Sequence, residues 1–203
     1  MADKNVLLVE GKDDDSVFYH LSNHHQIQGG FRIKKKNGIN QLLDELDVEL
    51  DASGLERLGV VVDADVNLTA RWQALINKLQ SCAYSNLPRS PLPEGTIIEE
   101  LDRPIVGVWI MPDNTSAGML EDFTRSLVPN DDSLWPRAEN CVNEIPQRER
   151  RFSILSKAYI HTWLAWQEEP GTLMGAAINQ RYLNADAPSA QQLMGWLRRL
   201  FVL

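Results

Sequence analysis

Val6-Leu7-Leu8-Val9-Glu10-Gly11-Lys12-Asp13-Asp14 and Gly59-Val60-Val61-Val62-Asp63-Ala64-Asp65 are the two stretches whose reading decides the fold. Each is a short unbroken apolar run, the pattern of a central parallel strand. Each ends in carboxylates. In open α/β sheets, ligands gather outside the carboxyl ends of the strands. Acidic side chains delivered there by neighbouring strands repel one another and call for a cation between them. Their hard oxygen donors favour Mg²⁺ or Mn²⁺. The two stretches together predict a metal-dependent, phosphate-handling domain.

The chain around them alternates strand and helix. Residues 5–10 read as a strand and residues 13–24 as a helix, with Val17, Phe18 and Leu21 on one face and acids at its start. Residues 31–36 alternate like a half-exposed strand, and Asn37-Gly38 is a turn signal. Residues 39–50 carry Leu42, Leu43, Leu46 and Leu50 on one helical face. Residues 58–63 form the next buried strand, and residues 67–80 a helix with Trp72, Leu75, Ile76 and Leu79 as its stripe. This order argues a parallel sheet with right-handed crossovers.

Residues 87–95, with Pro88, Pro91 and Pro93, read as a loop. Residues 96–101 and 105–111 read as strands that could pair as a hairpin, and residues 117–127 as a helix stopped by Pro129. Residues 128–146 look irregular and polar, and the chain from Phe152 onward looks helical. The expected organisation is an α/β core over 1–128 and a helical extension over 129–203, packed on the same domain because it is too small to fold alone.

The 203 residues are 43% hydrophobic, enough for a substantial core. With 28 acidic and 20 basic residues the net charge is −8, so no global electrostatic footprint for nucleic acid exists. Any such binding must use local basic patches and bound metal. Two cysteines, Cys82 and Cys141, and four histidines without a Cys-x-x-Cys pair argue against a structural zinc site. Two unrelated thiols are the commoner arrangement inside cells, with a disulfide left open. No signal peptide and no membrane-spanning run are found, so a cytoplasmic location is expected.

Glu10-Gly11 and Asp63-x-Asp65, each after an apolar strand, resemble the Toprim domain of topoisomerases, primases and overcoming-lysogenization-defect (OLD) nucleases. In the OLD-type branch a second acid follows the first Glu by four residues, and Asp14 stands there. A Leu-Glu pair opens a later helix, matched by Met119-Leu120-Glu121-Asp122, and a basic residue near the start of a late helix is matched by Lys157. The segments Gly107-Val108-Trp109-Ile110-Met111-Pro112-Asp113-Asn114 and His161-Thr162-Trp163-Leu164-Ala165 resemble DUF3226, a bacterial family of unknown function grouped with these proteins. The resemblance covers most of the chain. It implies a Toprim/Rossmann-like, mostly parallel sheet flanked by helices. It also implies metal ligands at Glu10, Asp14, Asp63, Asp65 and Glu121, and catalytic roles for Glu10 and Lys157.

The spacing has physical reasons. A sharp turn at Gly11 lets Glu10 and Asp14 point into one crevice. Asp63 and Asp65 share a face if the chain stays extended. Two ions held by four carboxylates could clamp the attacking and leaving oxygens of a phosphodiester. Blander readings stand beside these. Asp13 and Asp15 suit helix capping, and Glu121 and Asp122 suit dipole compensation. Asp113 and Asn114 suit a turn. His20, His24 and His25 suit a helix C-terminus, although His20 and His24 are four apart and could bind metal. Trp163, Trp166, Trp196 and Phe201 suit the core of the extension. Lys12, the cluster Lys34, Lys35 and Lys36, and the cluster Arg148, Arg150 and Arg151 are the candidate phosphate contacts. A solvated charge run explains each cluster equally well.

Three functions follow. The first is a metal-dependent nuclease acting on nucleic acid, alone or with a separately encoded ATPase, since the chain has no Gly-x-x-x-x-Gly-Lys-Ser/Thr segment. The second is a non-catalytic Toprim-like module that binds nucleic acid or protein. The third is a haloacid-dehalogenase-like phosphatase, whose Asp-x-Asp normally follows the first strand, whereas here Glu10-Gly11 precedes it.

Overall fold

A computed structural model describes residues 4–203; Met1, Ala2 and Asp3, which open the expected lead-in to the first strand, lie outside the described residues. The elements run β1 (Asn5–Val9), α1 (Lys12–His24), β2 (Arg32–Lys35), α2 (Ile39–Leu50), β3 (Arg57–Asp63), α3 (Leu68–Ser81), β4 (Thr96–Ile98) and β5 (Ile105–Met111). Then come α4 (Leu120–Arg125), α5 (Trp135–Glu144), α6 (Leu155–Ala165), α7 (Met174–Asn179) and α8 (Pro188–Phe201). The sheet order is β2-β1-β3-β5-β4. All pairings are parallel except β4 with β5, the expected hairpin, which pairs Thr96 with Val108 and Ile98 with Val106. β4 is shorter than the predicted strand and lies at the edge.

Side chains on the inner strands alternate between two cores. Val6, Leu8, Leu58, Val60, Val62, Val106, Val108 and Ile110 face one layer with Leu42, Leu46, Leu75 and Leu79 of α2 and α3. Leu7, Val9, Val61, Trp109 and Met111 face the other, with α1, α4 and the C-terminal helices. Burying each such aliphatic side chain contributes about 1.5–3 kcal/mol, so a strand with both faces covered must be apolar throughout. That is why β1 and β3 were legible.

The second layer sits unusually close. Gly59 and Gly107 are register partners on β3 and β5. A Cβ on Gly59 would lie 2.5 Å from a Leu7 methyl, and one on Gly107 would lie 2.4 Å from a Leu200 methyl. The bare backbone lets α8 settle on the sheet, with Trp196 packed 5.7 Å from Trp109 between ring centroids. Gly175 does the same between helices. Its Cβ would meet the Ser16 hydroxyl at 2.1 Å, so α7 presses onto α1.

Two expectations need correction. The stretch 128–146 is not irregular throughout, because α5 occupies Trp135–Glu144. Asp132 Oδ1 accepts the backbone N–H groups of Leu134 and Trp135 at 2.9 and 2.7 Å and the Trp163 indole N–H at 3.0 Å. The helix is thus started by a side chain two residues before its N-cap, itself held by a tertiary contact, and it buries only Ala138 and Val142, too sparse a stripe to read. Trp163, Trp196 and Phe201 are core as expected, but Trp166 is 40% exposed just past the end of α6. Cys82 and Cys141 are both free thiols. Among the described residues no helix is long and apolar enough to cross a membrane.

Candidate metal centre

β1 and β3 are parallel neighbours, so their carboxyl ends open on one edge. Glu10 follows β1, and its Oε1 accepts the Asp63 backbone N–H at 2.9 Å where the ladder ends. Asp63, the last residue of β3, accepts the Leu120 N–H on Oδ1 at 2.9 Å. Leu120 opens α4, and a first-turn N–H has no acceptor within its own helix. The returning loop is set by Gly118, whose N–H donates to the Asp65 carbonyl at 2.8 Å. Asp14 lies in the first turn of α1 and accepts the Gly11 N–H at 3.0 Å. Glu121, one residue into α4, is only 4% exposed. Lys157, in the first turn of α6, places Nζ 3.4 Å from Glu121 Oε1. Glu10, Asp14, Asp63, Glu121, Lys12 and Lys157 line one crevice.

The electrostatics of this crevice are unbalanced. Burial, and then the charge of Glu10, push the Asp14 carboxyl up to about 7. Burial, and then Asp14, Glu10 and Glu121, push Asp63 up to about 8. Burial also raises Glu10, opposed by the Asp63 N–H and Arg71. Burial would lower Lys157, but Glu121 and Asp63 outweigh it and hold its pKa above the ordinary lysine value. Two lysines, Lys12 and the half-exposed Lys157, therefore face four carboxylates, of which Asp14 and Glu121 are buried and Glu10 and Asp63 partly buried. Among the described residues, Glu10 Oε2 and Asp63 Oδ2 accept no hydrogen bond from the protein.

This donor set has the chemistry that a divalent cation would complement, although among the described residues no three of its carboxylates bring ligand atoms within 4.8 Å of one another. The cation's charge would offset the burial, and then the carboxylate repulsion, that lift Asp14 and Asp63, and its ligands would be the hard oxygens that Mg²⁺ and Mn²⁺ prefer. The carboxylates do not form a closed cage. Among the described residues, the grouping of three ligand side chains whose donor atoms all lie within 4.8 Å of one another is His24, His25 and Asp186, elsewhere in the molecule. An open carboxylate crevice suits an ion that keeps several of its waters, as Mg²⁺ does.

The sequence profile of DUF3226, described as a protein of unknown function, matches residues 4–202. The chain belongs to the DUF3226 family. Comparison with curated proteins and with solved structures returned no match.

The structure brings Glu10, Asp14, Asp63, Glu121 and Lys157 together, and Asp65 lines a neighbouring hollow instead, although its charge still acts on Glu10. Asp65 has φ of +52°, so the chain turns instead of staying extended. Its carboxylate pairs with Arg71, whose Nε also donates to the Asp63 carbonyl at 2.7 Å. The shared face expected of Asp63 and Asp65 is therefore not kept.

The Lys34–Lys36 cluster is not a free basic patch. Lys36 is buried between Glu45 and Glu49 at 2.6 and 2.7 Å, Lys34 pairs with Glu49 at 2.9 Å, and Lys35 lies 3.9 Å from Asp15. Arg150 donates to the Ile145 carbonyl at 2.9 Å and stacks over Phe152, and Arg148 pairs with its neighbour Glu149. Arg151 lines a groove that also holds Lys157 and His161. Asp113 accepts from Thr115 and Ser116, and Asn114 bonds the Ile110 N–H, so this pair shapes a turn. Sequence reasoning missed the Arg71 partner of Asp65, which had no signal beyond its place one turn into α3.

Proposed function

We propose that this DUF3226 chain is a Toprim-like, metal-dependent phosphodiesterase acting on nucleic acid. The observation that carries the reading is the convergence of Glu10, Asp14, Asp63 and Glu121 on one sheet edge, with Lys157 3.4 Å from Glu121. Glu10, Asp14, Asp63 and Glu121 would hold Mg²⁺ or Mn²⁺. The ion would supply charge neutralisation and polarisation of a phosphoryl oxygen.

The chain's own residues do the rest. Burial lifts the Glu10 carboxyl above the ordinary glutamate value, and among the described residues its Oε2 is left free of protein hydrogen bonds, where a general acid or base would act. Lys157 stays protonated and offers fixed positive charge where negative charge develops on the transferring group. The Leu120 N–H fixes Asp63. The groove lined by Arg151, Phe152, Ile154, Lys157 and His161 shares Lys157 with the crevice. It offers a cationic, partly apolar track for a strand, and Lys12 lines the adjoining crevice. The basic residues available to phosphates are thus Lys12, Arg151 and Lys157, more than Lys34, Lys36 or Arg150. A separately encoded ATPase partner remains compatible with this reading.

The phosphatase reading is weakened by the turn of Asp65 away from Asp63 to Arg71 and by the two strands and two helices that precede β3 in the chain. The test is incubation of supercoiled plasmid and of single-stranded DNA and RNA with the protein and Mn²⁺ or Mg²⁺, with EDTA as control. Metal-dependent nicking or degradation is expected, and Lys157→Met should lower its rate about 10²–10³-fold while leaving the metal-induced rise in melting temperature intact. Hydrolysis of a small phosphomonoester with plasmid untouched would favour the phosphatase. No turnover on any substrate, with metal binding retained, would favour a non-catalytic module.

A further inference from the structure

At the far end of α1 the chain gathers a second donor set of different chemistry. His24 ends the helix and His25 caps it, and Asp186 arrives from 162 residues away. His24 Nε2 lies 3.0 Å from Asp186 Oδ1. Each of the three residues offers a ligand atom, and these atoms all lie within 4.8 Å of one another. Zinc bonds of about 2.0–2.2 Å to nitrogen and oxygen place two tetrahedral ligands roughly 3.3–3.5 Å apart. The observed His24–Asp186 separation needs an opening of only a few tenths of an ångström to admit an ion.

The surroundings hold these groups in place. His25 Nε2 is 2.9 Å from the Ala185 carbonyl, which can only accept, so Nε2 carries the hydrogen and Nδ1 keeps its lone pair in the neutral ring. A ring nitrogen tied to a carbonyl is the usual support of a metal-binding histidine. Arg198 donates to the His25 carbonyl at 3.1 Å, and Gln191 donates to the Asp186 carbonyl at 2.9 Å. The Asp186 N–H donates to Asn184 Oδ1 at 3.0 Å. Ala185 and Ala187, buried on either side of Asp186, leave its carboxylate outward. His20, one turn before His24, lines the same hollow as His24 and Asp186. A cation here also sits at the C-terminal end of α1, where the macrodipole favours it.

We propose that His24, His25 and Asp186 form a Zn²⁺ site, open to solvent at its remaining position, that ties the end of α1 to the segment preceding α8. The ligands are borderline imidazoles and one carboxylate, so Zn²⁺, Co²⁺ or Ni²⁺ is selected over Mg²⁺. The expectation against zinc rested on the two distant cysteines, the four histidines and the missing Cys-x-x-Cys pair. The site uses no cysteine, and its third ligand has no sequence proximity to the other two.

The experiment is Zn²⁺ titration of the full chain by calorimetry and thermal melting. At a hundredfold excess over Kd the melting temperature should rise by about 5–10 °C, with Mg²⁺ failing to compete. His24→Ala and Asp186→Ala, both at exposed positions, should each weaken Zn²⁺ at least about 100-fold, while Asp63→Asn in the crevice should leave Zn²⁺ affinity unchanged. On the unaltered chain, Zn²⁺ should protect His24 and His25, but not His161, from carbethoxylation, which needs no variant. Absence of both the melting shift and the protection would overturn the proposal. So would wild-type Zn²⁺ affinity in His24→Ala and Asp186→Ala, or its loss in Asp63→Asn, which would put the ion in the crevice.

Discussion

The two ends of α1, a helix about 20 Å long, carry opposite chemistry. At its N-terminus Asp14 joins Glu10, Asp63 and Glu121 in a crevice where carboxylates are buried and mutually repelling. At its C-terminus His24 and His25 meet Asp186 at the surface, with side chains of His24 and Asp186 44% and 64% exposed. The helix dipole suits both, favouring anions at the first end and a cation at the second. The difference lies in how much each end depends on an ion. Exposed groups are solvated whether or not a metal is bound. Four buried or partly buried carboxylates facing two lysines must either take up protons or bind a cation. Burial, more than the count of acids, marks the N-terminal end as the place where charge has been concentrated at a cost to stability.

The most damaging change to this comparison is Asp63→Asn, which removes the carboxylate at the centre of the acidic end. We expect metal-dependent cleavage to fall at least about 10⁴-fold and the Mg²⁺-induced rise in melting temperature to vanish, with the apo protein equally or more stable. An unchanged Mg²⁺ response would place the ion elsewhere and break the comparison.

A smaller effect sharpens it through pH. Asp14 and Asp63 are held at about 7 and 8 in the folded chain, against roughly 4 for an unfolded aspartate. The folded state therefore binds more protons than the unfolded state between those values, and stability must fall as pH rises. The contribution is fully present below about pH 4 and lost as pH passes about 8. In EDTA, denaturant unfolding should show a loss on the order of a few kcal/mol between about pH 5 and pH 8.5. Saturating Mg²⁺ should flatten most of that slope. A flat profile in EDTA would mean that the carboxylates are not confined together.

The smallest expected effect separates the crevice from its immediate surroundings. Asp65→Asn removes an exposed partner of Arg71 and should cost less than about 1 kcal/mol. Cleavage and the Mg²⁺ melting shift should stay near wild type. A large loss of either would return Asp65 to the ligand set.

The strands and the helices α1, α2 and α3 were legible because their burial imposes a periodicity that any reader of apolar positions can count. That Glu10, Asp14 and Asp63 lie at one sheet edge was legible because strand ends and first helical turns are local features; Glu121 was singled out only through the family resemblance, its local pattern being that of an acid at a helix start. Helix α5 was not legible, since Asp132 and Trp163 stabilise it from outside its own pattern. Nor was the fate of the basic clusters. Lys36 reads as an exposed lysine in a run, yet Glu45 and Glu49 of α2 bury and neutralise it.

Local periodicity and the placement of acids at strand ends were enough to give the α/β architecture and the position of the acidic crevice. Three-dimensional packing alone decided that Asp65 turns away to Arg71, that Lys157 reaches Glu121, and that Asp186 meets His24. The physical reason is range. Hydrogen-bonded helices and strands repeat over a few residues, so burial leaves its mark on neighbouring positions in the chain. A salt bridge or ligand set spanning 36 or 162 residues leaves no mark on its neighbours, because its geometry exists only after the layers have packed.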